Sequence, residues 1–320
     1  MNQNTVVPFL LLAFQFGIQP TLNKTFIAGG TPSTPLIVVT EVSKIVLSLL
    51  TISVTLSSSA RQALLSELSL SKSLERAGIP AALYSIQNWL ILFASKKISA
   101  LSISLLNQTK TLSTAFFSWY LLDKKLSFRQ ILSLFGLLFG AALIISIENK
   151  SDNRDTNEDS LSGFFAVCFA SLLSGVSSAL SERTLSKTTS KLIPASAVSL
   201  LFSVELASFG ILSLFLSILL GFNPDQGHLQ HPFKNWTKTT MIPLLSNASG
   251  GILVGIVTQR LGGVQKGFAL ILGICLAALV EVFLGGKPLT IFHFLSVLFV
   301  CMSMWGYSSH PYIHNEKKDQ

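Results

Sequence analysis

Lys44, Lys110 and Lys266 each stand inside an apolar run: TEVSKIVLSLL, SLLNQTKTLSTAFF and GGVQKGFALILG. A cation held away from bulk water needs a partner or a water-lined cavity, so an ionisable residue in such a run points to function. Other runs carry Tyr84, Gln87 and Asn88 (YSIQNW), Asn107 and Gln108 (beside Lys110), and Asn247 (SNASGG). Gly250, Gly251 and Gly255 let a backbone or a flat ligand come close. Lys266 follows Gly262 and Gly263 and is predicted in the first turn of a helix. Free N–H groups and a lysine together suit an anion such as phosphate there.

The chemistry on offer is binding. Acid–base or metal catalysis needs a positioned acid, base or ligand cluster. The carboxylates of the runs are Glu41, Glu205 and Glu281, with Glu182 at a helix end, and no paired-acid or His–acid motif is present. Cys168, Cys275 and Cys301 lack metal-ligand spacing, so no cofactor or metal is implied. A membrane-embedded transferase is the rival class, and this poverty of acid–base groups weighs against it. Blander readings stand beside the functional one. Asn107 and Gln108 can be glue between helices. Lys110 can pair with Glu41 or Glu205, and Lys266 can snorkel to headgroups. The cluster Asp123, Lys124 and Lys125 reads as a solvated turn.

The elements that carry these groups are membrane helices. Of 320 residues, 49% are hydrophobic and 12% charged, about half the charged share of a soluble domain. Mean hydropathy is +0.58. Helices are predicted at about 6–27, 34–56, 78–96, 99–121, 127–147, 161–182, 193–221, 240–260, 265–284 and 289–309. The runs are apolar throughout and do not alternate, which excludes a barrel. The N-terminus, without a basic n-region, reads as an uncleaved first span. The net charge of +8 is scattered over short loops, so no nucleic-acid partner is expected.

Placing both termini in the cytosol puts the larger share of Lys and Arg there, including Lys124, Lys125, Lys317 and Lys318. The sequons at Asn23, Asn149 and Asn235 then fall in loops on the lumenal side. Polar groups recur in the same order in each half: Glu41 and Lys44 against Glu205, Tyr84, Gln87 and Asn88 against Asn247, and Lys110 against Lys266. The expected fold is therefore an all-α polytopic membrane protein of about ten helices in two inverted five-helix repeats. Residues 1–147 and 161–309 form the repeats, 148–160 a lumenal loop and 310–320 a cytosolic tail. Such repeats are a transporter architecture, with the site between the halves. On a continuous fourth helix, Ser104, Asn107, Gln108, Lys110, Thr111, Thr114 and Ser118 share one arc of roughly 160°.

The stretches TEVSKIVLSLL, GIPAALYSIQNWL, SISLLNQTKTLSTAFF and SNASGGILVGIVTQRLGGVQKGF resemble the nucleotide-sugar transporter family of the drug/metabolite transporter superfamily. The nearest likeness is to its plant-type endoplasmic-reticulum members for UDP-N-acetylglucosamine and UDP-N-acetylgalactosamine. The resemblance covers essentially the whole chain. It implies exchange of a cytosolic nucleotide sugar for a lumenal nucleoside monophosphate. It also implies substrate contacts at Lys44, Tyr84, Gln87, Asn88, Lys110, Asn247, Gly251 and Lys266. CMP-sialic-acid members have an aromatic residue where Asn107 stands and an Asp-Asn pair near Gly262-Gly263, so CMP-sialic acid and UDP-galactose remain as alternative cargoes. Asn107 and Gln108 are expected to add amide contacts. The ending KKDQ, with Lys317 and Lys318, resembles a dilysine retrieval signal read by coat machinery. It places the protein in the endoplasmic reticulum, with the Golgi membrane as the alternative. Membrane lipids are its other partners.

Overall fold

The computed structural model describes residues 3–95, 97, 103, 106–148, 160–187, 193–219, 231–285 and 291–309. Among them there is no strand. Ten long helices run as α1 (Gln3–Phe26), α2 (Ser33–Thr55), α3 (Ile79–Ser95), α4 (Lys110–Leu122), α5 (Phe128–Glu148), α6 (Ser160–Lys187), α7 (Ala195–Leu219), α8 (Met241–Leu261), α9 (Gly263–Gly285) and α10 (Ile291–Ser309). Short helices at Ser58–Ser66 and Leu70–Ser73 and a π-helical turn at Leu74–Gly78 join α2 to α3.

Six of the described helices are long and apolar enough to cross a bilayer, and shorter apolar helices accompany them. Burial agrees. Phe14, Val54, Phe135, Phe165, Leu216 and Trp305 face outward, while Ser48, Ser171, Ser177, Ser178, Ser199 and Ser203 are buried. Leu12, Leu137 and Phe268 are buried as well, but so broad an apolar outer surface is not that of a water-soluble protein. In lipid, apolar side chains lose nothing by facing out, and small residues let helices approach. The chain is an all-α, multi-pass membrane protein.

The packing recurs with a five-helix offset. α1 packs on α8 and α9, and α6 packs on α3 and α4; α2 meets α8 as α7 meets α3. The pairs α2–α7 and α5–α10 map onto themselves. The two tight crossings use the same device. A Cβ on Gly17 of α1 would lie 2.8 Å from Leu276 Cβ of α9, and one on Gly175 of α6 would lie 2.5 Å from Ser113 Cβ of α4.

Helix 4 departs from expectation. The backbone turns at Gln108–Thr109, and α4 begins at Lys110. The Thr109 N–H donates to Leu106 O at 3.0 Å, the Thr111 N–H to Gln108 O at 3.1 Å, and the Thr109 hydroxyl also donates to Leu106 O. Polar side chains that hydrogen-bond the local backbone compete with the helix ladder, which is why the even arc breaks here. Ser104 lies outside the described residues. Asn23 sits in the last turn of α1 and not in a loop; Asn149, Lys317 and Lys318 are also outside the described residues.

Candidate functional site

Two helix starts face one cavity. At the first, Lys110 opens α4 directly after the polar turn. At the second, Gly262 takes φ +94°, a conformation that disfavours any residue with a Cβ, and ends α8. α9 begins at once, and the Gly263 N–H donates to Glu182 Oε2 at 2.7 Å. Non-helical backbone at membrane depth is tolerated only where protein or a cavity surrounds it. The α4 break meets that condition, whereas the Gly262-Gly263 break joins two spans beside the Lys124–Glu182 pair.

The cavity has a volume of about 280 Å³. Its wall includes Lys44, Tyr84, Gln87, Lys110, Gly251 and Lys266. A second cavity of about 470 Å³ adjoins it through Lys44, Tyr84 and Leu206, and carries Glu41, Asn88 and Trp89. The second is within the size used for small ligands, roughly 300–1,000 Å³, and the first lies just under it. Gly251 leaves room for Lys44 as it stands: a Cβ there would lie 2.5 Å from Lys44 Cε and 3.1 Å from its Nζ, so the lysine side chain would have to move aside.

The charges do not cancel. Lys44 donates to Glu41 at 2.7 and 2.8 Å. Glu205 is held by Arg76, Nη2 to Oε1 at 2.5 Å, and by the Ser73 hydroxyl at 2.8 Å. The blander reading of Lys110, a pair with Glu41 or Glu205, is not what the described residues show: each carboxylate has a nearer cation from its own helix or from the α2–α3 connection. Among the described residues no carboxylate pairs with Lys110 or Lys266. Lys266 Nζ donates instead to the Ser178 hydroxyl at 2.7 Å. Two polar groups on the cavity wall, Gln87 Oε1 and the Thr111 hydroxyl, have no hydrogen-bond partner among the described residues. Leaving such atoms unmet costs about 1–3 kcal/mol each, a cost that a polar ligand can remove.

Six of the ten expected site residues line the first cavity, and Asn88 lines the second. Three do not. Asn247 lies on the cavity face of α8 but one turn further out, where it is exposed. Gln108 is buried beside the turn, and Asn107 is partly buried there with its Oδ1 unpartnered among the described residues. Thr111 and Thr114, placed on the polar arc with Lys110, line the cavity too; missed in the sequence were Ser174, Ser181, Ser203 and Thr258. The signal was the serine stripe of α6, Ser171, Ser174, Ser178 and Ser181, at helical spacing. The turn after α4 is likewise more than solvated: Asp123 takes φ 53° at the C-cap, and Lys124 pairs with Glu182.

Several known proteins share this sequence pattern. A profile of the nucleotide-sugar transporter family matches residues 24–308. The UDP-N-acetylglucosamine transporter ROCK1 of Arabidopsis thaliana is 34% identical over 316 residues, 97% of this chain and 93% of its own. A UDP-N-acetylglucosamine transporter of Homo sapiens is 26% identical over 240 residues, 74% of this chain and 72% of its own. A UDP-galactose transporter of Schizosaccharomyces pombe is 26% identical over 237 residues, 73% of this chain and 64% of its own. One solved crystal structure superposes with a TM-score of 0.69 over 96% of both chains at 12% identity, a likeness of fold alone.

Proposed function

The chain belongs to the nucleotide-sugar transporter family, and on that premise we propose that it exchanges UDP-N-acetylglucosamine or UDP-N-acetylgalactosamine for a nucleoside monophosphate. The observation that carries the reading is the pair Lys110 and Lys266. They stand at the starts of two helices, line one cavity, and have no carboxylate partner among the described residues. A diphosphate brought between them gives each charge a counter-charge, where either alone would be costly away from water. Tyr84 offers a ring face, and Gln87 and Asn88 offer amides to base and sugar. Lys44, already paired with Glu41, contributes less net charge. Asn107, Gln108 and Asn247 serve as surrounding support and not as contacts.

The reading extends to arrangement and place. The two halves, 1–147 and 161–309, act as inverted repeats around the cavity; the five-helix offset in packing supports this. Both termini face the cytosol, as the loop charges favour. The protein resides in the endoplasmic reticulum through Lys317 and Lys318, and serine at both positions should move it to the Golgi; an unchanged reticular pattern would refute the signal. UDP-galactose is the second cargo to test, because a relative carries that name. The decisive measurement is uptake of a panel of nucleotide sugars into proteoliposomes preloaded with UMP or CMP. The two UDP-N-acetylhexosamines should enter fastest, and uptake no better than protein-free liposomes for every member would end the proposal.

A further inference from the structure

We propose that Ser178 is a positioning residue for substrate, acting through Lys266. This rests on the transport reading above. The Ser178 side chain is on α6, in a residue only 1% exposed, and its oxygen accepts from Lys266 Nζ at 2.7 Å. One turn further along α6, Glu182 accepts the Gly263 N–H at 2.7 Å. α6 therefore grips the first turn of α9 twice, once by main chain and once by the lysine side chain. The absence of a side chain at Gly263 makes the grip possible: a Cβ there would lie 2.6 Å from the Ser178 oxygen and 2.9 Å from Thr114 Cγ2.

A hydroxyl is the right partner for this task. A carboxylate at the same place would neutralise the lysine and compete with an incoming phosphate. A serine oxygen orients the ammonium and leaves its charge intact. Lysine loses rotamer freedom before the ligand arrives, so less is lost on binding. The ammonium keeps two further N–H donors for phosphate oxygens. No equivalent hydrogen bond is present on Lys110 among the described residues. Lys266 is thus the fixed anchor for phosphate, and Lys110 adjusts to it.

The test is UMP titration of the purified full-length protein, read by calorimetry, with the ligand-free melting midpoint as a control. Ser178→Ala should weaken UMP binding about 3- to 10-fold, the worth of one hydrogen bond, and Ser178→Thr should retain most of the affinity. In a Lys266→Ala background, Ser178→Ala should cause no further loss. Wild-type affinity in Ser178→Ala would overturn the inference, and so would an equal loss with and without Lys266. Should Ser178→Ala melt early, Ser178→Thr and the double-variant comparison still decide. If the wild-type protein binds neither UMP nor CMP, the transport reading fails and this inference with it; wild-type binding with an insensitive Ser178 sinks this inference alone.

Discussion

The start of α4 and the start of α9 do the same job by different means. Each follows a break in helical backbone, and each presents a lysine in its first turn to the same cavity. The α9 break is made by glycine, at φ +94°, and is clamped by Glu182 and Ser178. The α4 break is made by side chains: Thr109 satisfies Leu106 O, and the lysine that follows has no clamp among the described residues. On the proposed reading of two inverted repeats, the halves do not repeat their chemistry residue by residue. One half supplies a cation held by a hydrogen bond and the other a cation with none among the described residues, which suits the exchange proposed above, since a nucleotide sugar and a nucleoside monophosphate place their phosphates differently.

The largest effect should come from the wall that both lysines face. Gly251→Leu drives a side chain into Lys44, and uptake should fall to background while the protein still inserts. Normal uptake would show that this face of α8 lies outside the path. Next come the two lysines. Lys266→Ala should weaken UMP binding by about 3 kcal/mol and Lys110→Ala by about 1.5 kcal/mol, the upper and lower ends for a charge-assisted hydrogen bond. Calorimetry on folded variants measures both, and the reverse order would break the comparison. Glu182→Ala should follow, with a loss of roughly 1–2 kcal/mol in stability from the uncapped α9 and the unpaired Lys124, seen as a lower melting midpoint. An unchanged midpoint would mean the clamp is ornamental. Smallest of all, Asn107→Ala should change UMP affinity less than about 2-fold, because its amide lies beside the turn and off the cavity wall. A tenfold change would return Asn107 to the site.

Much of this was legible in the sequence, for physical reasons. Long apolar runs gave the helices, and the cost of ionisable groups inside them singled out Lys44, Lys110 and Lys266. Gly262-Gly263 announced the α8–α9 break because glycine is the residue for such a φ. The α4 break was hidden, since periodicity records which side chains share a face and not which of them take the backbone's hydrogen bonds. Ser178 was hidden because serine in a membrane helix reads as packing until its neighbour is known. Glu205 looked like an interior carboxylate; its partner Arg76 comes from the α2–α3 connection, which folds back onto α7. The turn residue Lys124 likewise reaches Glu182 across a distance of 58 positions.

Those last two contacts have a kinetic meaning. Arg76 to Glu205 and Lys124 to Glu182 both join the first five helices to the last five, and both lie at the end of the molecule that the proposed orientation turns to the cytosol. They act as two latches of unequal depth. The Lys124 side chain is 55% exposed, so dissolved salt reaches it, whereas Glu205 is 3% exposed and shielded. A carrier that rocks its halves apart at this end would have to part both. Rising ionic strength loosens the outer latch first, so exchange should quicken modestly with salt and then level off while the inner one holds.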